Sequence, residues 1–365
     1  MGFKCGIIGL PNVGKSTLFN AITQSSIPAE NFPFCTIEPN VGTITVPDER
    51  LTKLEELVNP QKVIPTTIEI VDIAGLVKGA HKGEGLGNQF LANIREVDAI
   101  IHVLRCFDDD NVVHVDGKVD PISDKEIIDM ELQLKDLETI EKRLGAIERK
   151  AKSGDKDAKK VYDTYELVKE HLLKGYSVRS MDLDKSQIEY LNELQLITAK
   201  PVMYICNVEE SAVKNGNNYV EIVKDDISSE DAELLILGAA IEADIAELED
   251  YEERKLFLDD LGLEEPGVSK LIKKAYQLLN LQTYFTAGEK EVRAWTIRKG
   301  MTAPEAAGVI HSDFEKGFIR AEVINYIDYL KYGTESAVKD AGKLMIQGKD
   351  YIPEDGDIMH FRFNV

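Results

Sequence analysis

Nine consecutive residues near the start of the chain have the types and spacing to hold a row of phosphates. Gly9-Leu10-Pro11-Asn12-Val13-Gly14-Lys15-Ser16 fits G-x-x-x-x-G-K-[ST] at every fixed position, and Thr17 follows. In such a loop the glycines let backbone N–H groups wrap phosphate oxygens. The lysine neutralises the β- and γ-phosphates, and the serine hydroxyl ligates Mg²⁺. The chemistry also needs a strand before the loop and a helix after it, so that a helix N-terminus faces the anion. Phe3–Ile8 is a short apolar run that reads as the strand, and Lys15–Thr23 reads as the helix. Gly9, Asn12, Val13, Gly14, Lys15, Ser16 and Thr17 are therefore candidate nucleotide-site residues. Lys15 is also a catalytic candidate, because it meets the charge that develops during phosphoryl transfer.

A second element stands at the end of the next apolar strand, Thr67–Val71, where Asp72-Ile73-Ala74-Gly75 follows the pattern D-x-x-G. There a carboxylate can support Mg²⁺ and the Gly75 N–H can meet a γ-phosphate. Between the two lies Asn31-Phe32-Pro33-Phe34-Cys35-Thr36, in which Thr36 is the candidate switch threonine that joins the metal when the γ-phosphate is present. The candidate metal set is thus Ser16, Thr36 and Asp72.

The rest of the chain has to position these groups. It has 365 residues, enough for two or three domains, with 43 Lys and Arg against 65 Asp and Glu and a formal net charge of −22. That balance favours solubility and opposes indiscriminate binding to nucleic acid or anionic membrane, so any RNA contact must be local. No apolar run approaches the ~20 residues of a membrane helix, and a cytoplasmic protein with no membrane partner is expected. Cys5, Cys35, Cys106 and Cys206 show no C-x-x-C spacing, which points to reduced thiols and away from zinc.

Apolar, β-branched segments at Thr67–Val71, Ala99–Leu104 and Val202–Cys206 suit parallel strands buried on both faces, with the active edge where they end. Residues 124–196 interrupt that pattern. Ile127, Met130, Leu134, Leu137 and Leu144, then Val161, Tyr165, Val168 and Leu172, repeat by about three and four, predicting two antiparallel helices in a coiled-coil hairpin. From Lys142 to Lys160, around its tip, eight basic residues stand against three acidic ones, a local contrast that suits an RNA-facing surface. From Leu281 onward, strands at Tyr284–Thr286, Val292–Ile297 and Met359–Phe363 with a helix at Ala303–Ile310 predict a small α+β domain. The predicted architecture is an α/β nucleotide-binding domain over 1–123 and 197–280, a helical insertion over 124–196 and an α+β domain over 281–365.

Four blocks, Gly9–Thr17, Asn31–Asn40, Asp72–His81 and Leu281–Gly288, resemble those of the YchF/Obg-like ATPase family, a branch of the translation-factor-class GTPases. The resemblance spans essentially the whole chain. It implies a P-loop NTPase G domain with a mainly parallel sheet, a coiled-coil insertion and a C-terminal TGS domain of β-grasp type. It also implies ribosome binding, with the hairpin tip and the TGS domain as the candidate contacts, and a monomer is expected.

GTPases read guanine with N-K-x-D, whose Asp accepts two hydrogen bonds from the base. The matching segment here is Asn207-Val208-Glu209-Glu210. Val208 removes the lysine that packs over the base, and Glu210 is one methylene longer than the guanine-reading Asp. Both departures relax guanine preference, in line with the ATP over GTP that the resemblance implies. Asn207, Val208 and Glu210 are the base-side candidates, with Gly238–Glu242 as a further base-side loop. Leu76 stands where many GTPases place a water-orienting glutamine, and the resemblance makes this a class trait, which leaves His81 and His114 as candidates to position water. Asn12 is a candidate to help hold K⁺, as in some related GTPases. Two alternatives remain open at this stage: a GTPase assembly factor, and a nucleotide-regulated RNA or ribosome-binding scaffold with little hydrolysis.

Overall fold

The computed structural model of the chain describes residues 3–25, 40–73, 86–109, 118–230 and 232–364, and of residues 86–89 the backbone alone. The chain forms two compact units, one of Phe3–Gly42 with Glu69–Leu271 and one of Thr43–Ile68 with Ile272–Val365. The first seven strands are β1 (Lys4–Ile8), β2 (Val41–Thr45), β3 (Val63–Ile64), β4 (Thr67–Asp72), β5 (Ala99–Arg105), β6 (Val202–Asn207) and β7 (Glu233–Leu237). The remaining five are β8 (Leu281–Ala287), β9 (Val292–Arg298), β10 (Phe318–Ile324), β11 (Met345–Gln347) and β12 (Ile358–Phe363).

Among the described residues, one six-stranded sheet has the order β2-β4-β1-β5-β6-β7. The pairs β1–β4, β1–β5, β5–β6 and β6–β7 are parallel. Every residue of β5 and of β6 is buried, as expected for central parallel strands covered on both faces. The register sets the functional edge. Ile7 pairs with Asp72 and Arg105 with Asn207, so the loop after β1, the end of β4 and the loop after β6 all emerge from the carboxyl ends of the strands.

The insertion begins at Pro121, with a 32-residue helix Pro121–Lys152 capped by Asp120 on the Ser123 N–H. Gly154, at φ 94°, makes the turn, and Asp155 caps the returning helix Lys156–Leu173. Leu144, Tyr165, Val168 and Leu172 pack together as their periodicity predicts, with Ile140 beside them. The seam departs from the sequence reading lower on the long helix: Ile128, Leu132, Asp136 and Ile140 are buried there, while Met130 is 43% exposed. The cause is a second packing surface. Asp136, fully buried, accepts hydrogen bonds from the Ile197 N–H at 2.9 Å and from the Thr198 N–H and hydroxyl, each at 2.7 Å. The foot of the helix therefore faces the chain that returns to β6, and its periodicity follows that contact.

In the other unit β8 and β9 form a hairpin, the helix Ala303–Ile310 crosses it, and the last strand, β12, lies parallel to β8. The order β11-β10-β12-β8-β9-β3 is the β-grasp arrangement with an added strand at each side. One face of this sheet packs on the helix through Tyr284, Ile297, Ala306 and Phe361. Against the other lies the segment 43–68, which the sequence boundaries kept with the first part. Its helix Glu49–Val58 buries Leu51 and Leu54 against Phe285, Val292 and Ile324, and Arg50 pairs with Asp355 at 2.7 Å. No helix among the described residues is long and apolar enough to cross a membrane. Cys5, Cys106 and Cys206 are buried and unbridged, and burial pushes the Cys5 thiol up to about 12.

Asp136→Ala deletes the acceptor of three buried donors at ~1–3 kcal/mol each, so a loss of at least about 3 kcal/mol is expected. A urea titration followed by circular dichroism checks it. An unchanged midpoint would mean that the insertion is held by its apolar seam alone.

Candidate nucleotide site

The loop after β1 is built for close approach. A Cβ on Gly14 (φ 97°) would lie 2.3 Å from Asn207 Nδ2, and one on Gly9 would lie 2.6 Å from the Val103 carbonyl oxygen. Neither position tolerates a side chain. Asn12 sits exposed at φ 65°, a left-handed conformation that Asn adopts more readily than most residues. The helix Lys15–Gln24 starts directly after Gly14, and among the described residues no side chain caps its N-terminus. Its first N–H groups are thus left for an anion.

Lys15 is only 7% exposed, and its Nζ donates to the Leu10 carbonyl at 2.6 Å, which folds the ammonium back over the loop. Burial lowers its pKa from 10.5 to about 8, against the opposing pull of Asp72. Ser16 Oγ donates to Asp72 Oδ2 at 3.4 Å. Asp72 Oδ1 is buried with no hydrogen-bond partner among the described residues, and desolvation raises the pKa of this carboxyl despite Lys15 and Ser16. A buried, under-bonded carboxylate oxygen is costly. Set beside a serine hydroxyl at the mouth of a phosphate loop, it fits a hard divalent cation with oxygen ligands. Among the described residues no group of three His, Cys, Asp or Glu gathers to hold a metal, so such an ion would take its remaining ligands from phosphate and water.

On the base side the structure separates the candidates. Asn207 is buried: its Nδ2 donates to the Val13 carbonyl and its Oδ1 accepts the Ala239 N–H, both at 2.8 Å. It positions the loop rather than presenting itself to solvent. Val208 is buried, with its N–H on the Leu237 carbonyl, and Glu210 is exposed at the start of the next turn. Thr17 is exposed in the first helical turn. Thr36, Gly75, Leu76, His81 and His114 lie outside the described residues.

Two supporting residues carried no motif signal, and a third, Glu242, lies in the Gly238–Glu242 segment that the sequence singled out. Asn217 Nδ2 donates to the Cys106 carbonyl at 2.7 Å and to Glu209 at 3.0 Å, tying the base-side loop to the chain after β5. Arg105 donates to the Phe107 and Asp109 carbonyls, fixing the root of the segment that carries His114. Glu242 accepts the Gly267 and Val268 N–H groups at 2.8 and 2.9 Å, holding the helix that carries the Gly238–Glu242 loop. His102 is buried and lowered to about 3 by desolvation, so it is neutral at physiological pH.

The sheet edge, the uncapped helix and the Ser16–Asp72 pair define a P-loop nucleoside-triphosphate-binding protein. A family model described as "50S ribosome-binding GTPase" matches residues 4–143, and the YchF-GTPase C-terminal model, described as "Protein of unknown function (DUF933)", matches residues 281–364. Over the full length of both chains the protein is 58% identical to the Ribosome-binding ATPase YchF of Haemophilus ducreyi and 54% identical to that of Bacillus subtilis. The solved Schizosaccharomyces pombe YchF GTPase is 41% identical, covering 99% of this chain and 98% of its own, with a TM-score of 0.90. The chain belongs to the YchF family.

Binding of phosphates should hold the proton on Lys15. Below pH 8 the free site is already protonated and affinity should be flat. Above it, binding must take up a proton, and affinity should fall by up to about tenfold per pH unit. Calorimetric titration of ATP from pH 7 to 10 checks this. Lys15→Ala should lower affinity or turnover at least about tenfold and flatten the profile, and Ser16→Ala should lower turnover by a similar factor. Unchanged hydrolysis in both variants overturns the assignment.

Proposed function

We propose that this protein is a ribosome-associated ATPase that uses slow ATP hydrolysis as a molecular switch in translation or its regulation. The observation that carries the reading is the Lys15–Ser16–Asp72 constellation, in a chain alike over its whole length to relatives named ribosome-binding ATPases. Gly9, Asn12, Val13, Gly14 and Thr17 line the phosphates, and Lys15 neutralises the charge that moves onto the leaving β-phosphate. Ser16, Thr36 and Asp72 hold Mg²⁺, which when bound supplies positive charge to the phosphate oxygens. The Gly75 N–H meets the γ-phosphate. Water attacks the γ-phosphorus, the bond to the bridging oxygen breaks, and ADP and phosphate leave. His114, or His81 in its place, orients that water or accepts its proton. Asn12 serves K⁺ if a monovalent ion assists.

ATP is the preferred nucleotide because Val208 and Glu210 replace the lysine and aspartate of the guanine reader, while Asn207 keeps its positioning bonds. The rival reading, a GTPase, draws on the names of the matched nucleotide-binding model and of the fission-yeast relative. Titrating ATP and GTP decides between them. Val208→Lys with Glu210→Asp should raise GTP affinity relative to ATP by at least about tenfold, ~1.4 kcal/mol. A wild type that binds GTP more tightly than ATP overturns the ATPase reading.

The ribosomal contact runs through the tip of the insertion and the C-terminal TGS domain, in a cytoplasmic monomer. At the tip, Lys150 and Lys152 make exposed pairs, with Asp155 at 3.6 Å and Glu148 at 2.5 Å. Such pairs are screened by solvent and exchange readily for phosphate. Charge reversal of Arg149, Lys150 and Lys152 to Glu should weaken ribosome co-sedimentation in a salt-dependent way and leave ATP binding intact. Equal pelleting of wild type and variant across a salt series reduces the tip to a solvated turn.

A further inference from the structure

At the foot of the insertion, far along the helix from its tip, two cavities adjoin. One, of about 1130 Å³, lies between the helix Pro121–Lys152, the chain at 175–182 and the chain at 226–230. The other, of about 800 Å³, lies between 95–98, the helix Lys185–Asn192 and the chain at 195–201. Arg179, Met181, Asp182, Ala199 and Pro201 belong to the walls of both, which makes them one groove. Its size exceeds the ~300–1,000 Å³ of small-molecule sites. A length of polypeptide fits it better than a metabolite.

The walls state the chemistry of the occupant. In the larger cavity the two cations are already committed: Lys125 meets Glu230 at 2.8 Å, Asp226 at 3.1 Å and Asp129 at 3.4 Å, and Arg179 meets Glu230 at 3.6 Å. Carboxylates outnumber cations in this wall, five to two, once Glu126 and Asp182 at the exposed rim are included. An anionic ligand finds no uncommitted cation there, whereas a lysine or arginine finds acceptors. Large apolar side chains stand exposed along the same groove, with Met130 at 43%, Tyr176 at 57% and Ile188 at 47%. Tyr176 is held against His171, ring centroids 5.4 Å apart, leaving an aromatic ring available to an arginine. The smaller cavity adds Leu183, Leu191 and Leu196, with Glu96 and Asp98 against Arg95 and Lys200, so that acidic groups outnumber basic ones along the whole groove. Exposed apolar groups rimmed by charge are the mark of a protein contact.

We infer that this groove docks a basic, amphipathic peptide segment of a partner protein, its Lys or Arg side chains on the acidic wall and its large apolar side chains among Met130, Tyr176, Met181 and Ile188. The surface is separate from the nucleotide site and from the basic tip, and its occupant is protein, not RNA.

The probe is a fluorescein-labelled amphipathic peptide of Leu, Lys and Arg, read by anisotropy on the full-length protein. Controls are the same peptide with Glu for Lys and Arg, the same with Ser for Leu, and a labelled single-stranded RNA. The basic peptide should bind at least about tenfold more tightly than either altered peptide. Both Glu126→Lys with Asp182→Lys and Met130→Ser with Tyr176→Ser should weaken it at least about tenfold, with ATP affinity unchanged as the check on folding. Reversal of Glu252 and Glu253 to Lys, on the exposed start of the helix Tyr251–Leu261, should leave it unaltered and so excludes mere attraction to an acidic protein. Equal binding by both groove variants, equal binding of the Glu or Ser peptide, or RNA that competes for the groove would overturn the proposal.

Discussion

The nucleotide end of this molecule depends on one carboxamide. Asn207 donates to Val13 in the phosphate loop and accepts from Ala239 at the start of the helix Ala239–Glu247, and it stands so close to Gly14 that no side chain fits between them. Three segments distant in sequence are thereby locked at the carboxyl edge of one parallel sheet. Because both bonds are buried, loss of either would leave a backbone group without a partner, which costs more than the bond contributes when made. The phosphate loop is held in shape by strand β6 as much as by its own glycines.

The site this creates is electrostatically incomplete. Lys15 is desolvated toward losing its proton, and Asp72 is desolvated toward gaining one. Each is strained in the direction that a magnesium–phosphate group relieves, since phosphate oxygens favour the charged lysine and a dication favours the charged carboxylate. On the proposed reading, binding energy would be directed at groups beside the transferring phosphoryl group, where preorganised charge contributes most to rate.

Much of this was legible in the sequence because it rests on local rules. A glycine loop between an apolar strand and a helix, and an aspartate at the end of the next strand, are patterns of a few residues whose chemistry fixes their surroundings. Asn207–Glu210 stood out in the sequence as the counterpart of a base-reading element, but the bracing role of Asn207 did not, since both its partners are backbone groups 32 or more residues away. The same limit hid Asn217, which bonds a carbonyl 111 residues distant. It also hid the place of 43–68, whose Leu51 and Leu54 form an ordinary amphipathic helix with nothing local to say which sheet they cover. On the long insertion helix, periodicity found the pairing near the tip and missed the turn of the seam below it. Asp136, a charged residue in that seam, is intelligible only with the Ile197 and Thr198 donors in view.

That seam has a consequence for how the insertion meets other molecules. Its upper half packs on the returning helix and on Val178, Leu191, Leu194 and Leu196 of the chain that follows, and ends in basic residues, while its foot is set among the carboxylates of the 226–230 segment. From Lys125 to Lys150 the helix advances about 37 Å at 1.5 Å per residue, over four times the ~8 Å Debye length of physiological salt. The two ends are therefore electrostatically independent. A basic tip drawn to phosphate does not cancel an acidic foot, and a protein whose net charge of −22 would repel nucleic acid as a whole presents the opposite sign at one reach of its surface. The rigid element between them fixes their separation, so two contacts made on a large assembly would set the orientation of the nucleotide-binding unit as well as its affinity.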